Sequence, residues 1–307
     1  MSTPIPRREV LGRSAAVLAA AMLGGTTEAQ TAGSPCAKRE AGDGRPRLFK
    51  LGLVTYNLAK DWDLPTIIQR CREIGLAAVE LRTGQKHGVE PGISKNQQKE
   101  VRKRFTDSPV VLWGLGTACQ YHEVDPAAVA RNIEETKRFA ELAHDVGAKG
   151  VKVRPNGLPK DVPVEKTLEQ IGRALRTCGQ AAADLGVELW VEVHGSGTCE
   201  PRHMRKIMDW ADHPNVGVTW NSNLPCDLID GSILQGFDLL ADKIRSVHIN
   251  ELINGYPYRE LFGLLRGRGY DRYTLMEIQG LAGPDPADTT RFARFYAGLW
   301  DALSSPA

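Results

Sequence analysis

Six cysteines in 307 residues, none in a Cys-x-x-Cys pair, are too few for a disulfide scaffold and lack the spacing of a structural zinc module. An excess charge of one sign is missing too. With 39 Lys+Arg against 37 Asp+Glu, the formal charge is +2, which gives no electrostatic footprint for nucleic acid. No apolar run reaches the ~20 residues needed to span a bilayer, so neither a polytopic membrane protein nor a stable membrane anchor is expected. A composition 42% hydrophobic and 25% charged excludes a disordered chain and supplies a large core. The expected partner is a small molecule, and homo-oligomerisation is left open.

What is present divides the chain. In residues 1–29, Arg7-Arg8 precedes a weakly apolar stretch, Ala15–Leu23, and then the small residues around Thr27-Glu28-Ala29. This reads as a twin-arginine export signal, which sends an already folded protein to the periplasm or beyond. Residues 30–48, rich in Gly, Pro, Ala and charge, read as a linker, with Cys36 an unmodified cysteine in it. Residues 49–307 read as one domain.

That domain alternates short apolar runs with amphipathic stretches, the pattern of a parallel sheet with helical crossovers. The runs are Lys50–Tyr56, Ala77–Leu81, Val110–Leu115, Gly150–Val153, Val187–Val193, Val216–Trp220, Ile244–Ile249 and Tyr273–Ile278. Between the fourth and fifth, Leu168, Ile171, Leu175, Cys178 and Ala182 form one helical stripe, so Cys178 is a core residue; Cys71 falls on a similar stripe. Asp125-Pro126 supplies an N-cap followed by proline in the first helical position. Gly75, Gly147 and Gly186 each follow an apolar helix end, where a left-handed cap is needed. Eight such units predict a single-domain (β/α)8 TIM barrel, whose chemistry belongs at the C-terminal strand ends.

A polar residue stands near or just past the end of each of the last four apolar runs: Glu192, Asn221, His248 and Glu277. Strand side chains alternate faces, so flanking residues that face the helices turn all four toward the barrel axis. Their separations of 29, 27 and 29 residues are each about one βα unit, placing them at equivalent heights on successive strands. Two carboxylates, an imidazole and an amide oxygen form a mixed O/N set suited to one divalent metal ion, Mn²⁺, Mg²⁺, Co²⁺ or Zn²⁺. Two glutamates side by side repel unless a cation or proton intervenes.

These four positions, with the Glu192-Val193-His194 and His248-Ile249 motifs, resemble the xylose isomerase-like TIM barrel superfamily over about residues 49–305. That superfamily contains sugar-phosphate isomerases, keto-sugar 3-epimerases, inosose dehydratases and endonuclease IV. In its epimerase branch the matching strand-five Glu, strand-six Asp, strand-seven His and strand-eight Glu hold the metal, and the two glutamates exchange a proton with substrate carbon. The resemblance therefore implies Glu192, Asn221, His248 and Glu277 as ligands and Glu192 and Glu277 as the acid/base pair. The chain departs from the pattern at Asn221, where Asp is usual, and at Leu224, where a His often stands.

Other residues at the mouth are candidates for substrate binding. His194 shares the face of Glu192. Glu80 and Arg82 end the second strand, and Lys152 and Arg154 the fourth, set either to hold substrate hydroxyls or to form ion pairs. His122 and His87 lie in loops after the third and second strands, where a surface role competes. Trp190 and Trp220 read as barrel packing. Cys199 and Cys226 follow the fifth and sixth strands, so a bond across neighbouring loops is open in an oxidising compartment.

The expectation is a metal-dependent sugar isomerase or epimerase, or a related keto-sugar lyase. It would abstract a proton next to a carbonyl through an enediolate, on an unphosphorylated sugar or glycoside. One alternative is an endonuclease IV-like metal phosphoesterase, for which His87 and His122 would be needed as added ligands. The other is a noncatalytic carbohydrate-binding barrel.

Overall fold

The computed structural model describes residues 46–280 and 286–306; the twin-arginine signal and most of the expected linker lie outside them. The elements run β1 (Lys50–Val54), α1 (Leu64–Ile74), β2 (Ala78–Arg82), α2 (Lys95–Thr106), β3 (Val111–Gln120), α3 (Pro126–Val146), β4 (Gly150–Arg154) and α4 (Val164–Asp184). They continue β5 (Glu188–Glu192), α5 (Pro201–Ala211), β6 (Val216–Asn221), α6 (Leu234–Leu240), β7 (Ile244–Ile249), α7 (Tyr258–Gly267), β8 (Tyr273–Met276) and α8 (Pro286–Ser304). The eight strands are parallel, neighbour one another in chain order and close with β1 against β8, making a (β/α)8 TIM barrel.

The local signals act as their chemistry requires. The Asp125 carboxylate accepts from Ala127 N at 2.9 Å and Pro126 opens α3. Gly75 and Gly147 end α1 and α3 at φ of 90° and 82°, values that a Cβ makes costly. The buried stripe of α4 includes Leu168, Ile171, Leu175 and Cys178. Burial pushes the Cys71 thiol up to about 12 and that of Cys178 up to about 11, so neither is a ready nucleophile.

Outward strand residues such as Leu53, Val79, Val151, Val153 and Val191 pack beneath the helices in the main core. A second, smaller core fills the barrel itself, where Val54, Ala78, Trp113, Trp190 and Leu275 meet. Trp190 lies so close to β4 that a Cβ on Gly150 would sit 2.4 Å from its ring, which is why that position has no side chain. The plug closes the N-terminal end and supports the polar layer above it.

The observed strands differ from the sequence reading mainly at β3, which continues past Leu115 to Gln120 and pairs there with Arg154. Its extension, Gly-Thr-Ala-Cys-Gln, carries little apolar alternation and gave no strand signal. β8 stops at Met276, so Glu277 stands just beyond it. At the start of the described chain, Arg47 donates to Asp301 and Ser304 at 2.8 Å and lies over Trp300, tying the end of the expected linker to α8.

Candidate active site

His248 is the centre of the polar layer. It is fully buried on β7, and its Nε2 lies 3.2 Å from Glu80 Oε2 on β2, across the barrel. Its Nδ1 faces the other way, 3.4 Å from Glu277 Oε2 and 3.7 Å from Glu192 Oε1, and makes no hydrogen bond. Glu192, His248 and Glu277 each offer a ligand atom within 4.8 Å of the others. Asn221, paired with His248 across β6 and β7, donates its Nδ2 to Glu192 Oε1 at 3.2 Å. Its Oδ1 is buried with no hydrogen-bond partner. Lys152, on β4 and 2% exposed, donates to Glu192 Oε2 at 2.7 Å.

Burial opposes charge on Glu192, but Lys152 and then His248 outweigh it and hold that carboxyl well below its usual range. Glu277 is also lowered, against burial, chiefly by His248. Burial alone would lower the imidazole; Glu80, Glu277 and Glu192 overcome it and raise His248 well above its ordinary value. Three carboxylates, Glu80, Glu192 and Glu277, against one ammonium, Lys152, sum to −2 when His248 is neutral. A divalent ion brings the cluster to neutrality, and it competes with the proton on His248 Nδ1.

The residues fit such an ion. An Nε2–H given to Glu80 fixes the imidazole tautomer and leaves the Nδ1 lone pair toward the carboxylates, the usual orientation of a metal-bound histidine. Two of the cluster's buried atoms without partners, His248 Nδ1 and Asn221 Oδ1, carry lone pairs that a divalent cation accepts, and such orphans in a core otherwise carry a desolvation cost.

Above the cluster opens a cavity of about 520 Å³, lined by Glu192, Asn221, Glu277, Lys152, Arg154 and His194 among others. His194 Nδ1 lies 3.0 Å from Asn156 Oδ1; the amide oxygen accepts, so Nε2 is the nitrogen left free. Glu80 does not line the cavity; it stands behind His248, which makes it a positioning residue rather than a contact for substrate hydroxyls. His122 does not line the cavity either. Its loop turns back so that the ring packs against Gly157, with Nε2 4.0 Å from Glu123. His87 is buried, Nδ1 accepting from Val89 N and Nε2 facing Arg82 O at 2.8 Å, so both nitrogens are engaged in the fold. The phosphoesterase reading thereby loses the two histidines it needed.

Sequence reasoning missed Tyr56, Asn250, Glu251, Asn254 and Gln279, which also line the cavity. Asn250 was within reach of it, two residues beyond His248 and of the same parity. Asn223 Nδ2 is bonded to Val193 O and Asn221 O at 2.8 and 2.9 Å, and buried Asp227 accepts from its backbone N–H. Burial pushes the Asp227 carboxyl up to about 7. Cys199 and Cys226 form a disulfide that joins the loops after β5 and β6. Trp190 and Trp220 are fully buried, as packing residues should be.

Residues 68–295 match the family described as Xylose isomerase-like TIM barrel. No curated protein sequence matches the chain. Solved structures do. The 3-keto-D-glucoside 4-epimerase YcjR from E. coli, in its apo form, is 16% identical at a TM-score of 0.66, the match covering 82% of this chain and 99% of that one. D-psicose 3-epimerase from Clostridium cellulolyticum H10, solved with D-tagatose, is 14% identical at 0.71, over 84% and 100% of the two chains. The IOLI protein, with a bound zinc atom, is 16% identical at 0.64, over 83% and 98%. At these identities the likeness is one of fold.

Proposed function

The chain belongs to the xylose isomerase-like TIM barrel family, and we propose that it is a metal-dependent sugar isomerase or epimerase. Glu192, Asn221, His248 and Glu277 hold the ion, and the two glutamates move the proton. The observation that carries this reading is His248 Nδ1, buried, without a hydrogen bond, and aimed between two carboxylates. The epimerases among the structural neighbours support it.

Held there, a divalent ion would supply Lewis-acid polarisation of the substrate carbonyl and so favour loss of the neighbouring proton. Glu277 stands at the more open side of the cluster, its side chain 11% exposed against 4% for Glu192, and takes that proton. Glu192 returns one from the other face. Lys152 keeps Glu192 ionised at rest and is the ammonium, 2.7 Å away, from which Glu192 draws the proton it returns; solvent reloads Lys152 and takes the proton held on Glu277, and Glu80 holds the His248 ring. The polar cavity wall and the plug beneath it keep the substrate at the strand ends. Return of the proton to the same carbon inverts it, and return to its neighbour isomerises the sugar.

The test is solvent-deuterium exchange. Mn²⁺-loaded protein in D₂O should place deuterium on the carbon beside the carbonyl of at least one keto-sugar in a panel. Glu277→Gln should abolish that incorporation. A protein that holds metal yet exchanges no panel member contradicts the reading.

A further inference from the structure

Two guanidinium groups line the cavity without a carboxylate partner. Arg82, at the end of β2, lies 4.7 Å over the Tyr56 ring. Arg154, at the end of β4, donates one terminal nitrogen to Ala118 O at 3.2 Å, while its buried Nε makes no hydrogen bond. Lys152, the third cation of the cavity, is held by Glu192. Among the described residues neither Arg82 nor Arg154 forms a salt bridge. Strand β3 runs between them and contributes Gly116 level with Arg82, where a Cβ would strike Glu80 Oε1 at 2.6 Å. The β2–β4 side of the cavity is thus lined by cations.

The opposite side differs in kind. The loops after β6, β7 and β8 supply the uncharged amides of Asn223, Asn250, Asn254 and Gln279, of which Asn223 and Asn250 give their Nδ2 to backbone carbonyls and keep their oxygens for neutral hydroxyls. A planar guanidinium suits an oxyanion, which it grips with two parallel N–H donors. With the metal cluster neutral, Arg82 and Arg154 outweigh Glu251, and the occupied cavity keeps a surplus of one positive charge.

Resting on the reading of this cavity as a sugar site, we propose that its substrate is an acidic sugar. An oxyanion, carboxylate or phosphate, at the end remote from the reacting carbons sits between Arg82 and Arg154. The reacting carbons then lie under β5–β8, beside Glu192 and Glu277.

D-glucose, D-glucuronate and D-glucose 6-phosphate share one ring and differ at C6, so calorimetric titration of the full Mn²⁺-loaded chain with each isolates the charge. Glucuronate or the phosphate should bind about tenfold or more tighter than glucose, as hydrogen bonds to charged groups warrant. The tighter of the two assigns the oxyanion to a sugar acid or a phosphate ester. Arg82→Gln and Arg154→Gln should each erode the preference, and Arg154→Lys should retain most of it. Equal binding of the three, binding of none, or a preference untouched in both Gln variants overturns the proposal. Discrimination without deuterium exchange contradicts the isomerase reading instead, and exchange into neutral keto-sugars without discrimination contradicts only the acidic substrate.

Discussion

At the N-terminal end of the barrel, Trp113 and Trp190 stack at 5.0 Å, and the indole Nε1 of Trp190 donates to Glu188, itself held by Arg272 at 2.7 Å. Two residues further along the same strand, Glu192 enters a layer in which His248 Nδ1, Asn221 Oδ1 and Glu80 Oε1 are buried with no hydrogen bond. Both layers contain carboxylates, and the upper one borders the cavity. In the lower one both indole N–H groups find protein partners; in the upper one Lys152 and Asn221 pair with Glu192, while His248 Nδ1 and Asn221 Oδ1 are left without a partner. Stability accounts for the first arrangement, and the unpaired atoms of the second are the ones the proposed ion would engage.

The comparison breaks most sharply by exchanging what each layer loses. Glu277→Gln should lower kcat by about 10²–10⁴, the usual worth of a positioned acid or base, with the unfolding midpoint of the metal-free protein falling only by what its pairing with His248 contributes. Trp190→Ala should do the reverse, costing about 3–5 kcal/mol in denaturant unfolding while the folded fraction keeps its metal affinity. A large activity loss from the tryptophan, beyond its unfolded fraction, would mean the layers are not separate.

Glu80→Gln asks whether a residue behind the cluster belongs to it. Loss of the charge facing His248 Nε2 should weaken Mn²⁺ binding about 10–100-fold by titration, with KM for the sugar moving less than metal affinity. Asn221→Asp should strengthen metal binding by about 1–3 kcal/mol and slow turnover, because the added charge makes the cluster −3 and leaves the ion less able to attract a substrate oxygen. Calorimetry and steady-state rates on the same two proteins decide it; unchanged affinity would remove Asn221 from the ligand set.

The smallest effect is one of pH. His248 has a raised pKa, so its ion pairs stabilise the metal-free protein below about 6.5 and are lost as pH rises through the raised value. Glu192 and Glu277 have lowered pKa values, so their contribution is present above about 4.5 and is lost as pH falls. The ion replaces the His248 proton, and the rise in Tm on adding Mn²⁺ should therefore be larger at pH 8 than at pH 6. An equal rise at both would show that His248 is not a ligand.

The eight strands were legible because apolar alternation and glycine helix ends are local signals, and the parity of Glu192, Asn221 and His248 followed from the strands that carry them. The role of Glu80 was not, since its bond to His248 spans 168 residues and depends on barrel closure. Lys152 was placed at the mouth, but its pairing with Glu192 again required two adjacent strands in register. His122 was misplaced because parity ends where a strand ends, and the direction of its loop is a tertiary matter. The β3 extension escaped for want of any apolar period.

The central claim is that the upper layer is completed by one divalent ion, and elemental analysis with calorimetric titration of purified protein and of His248→Ala tests it most directly. The account predicts about one ion per chain, stabilisation by added Mn²⁺, Co²⁺ or Zn²⁺, and a strong loss of affinity in the variant. Protein that carries no ion and gains no thermal stability from any of the three would contradict it.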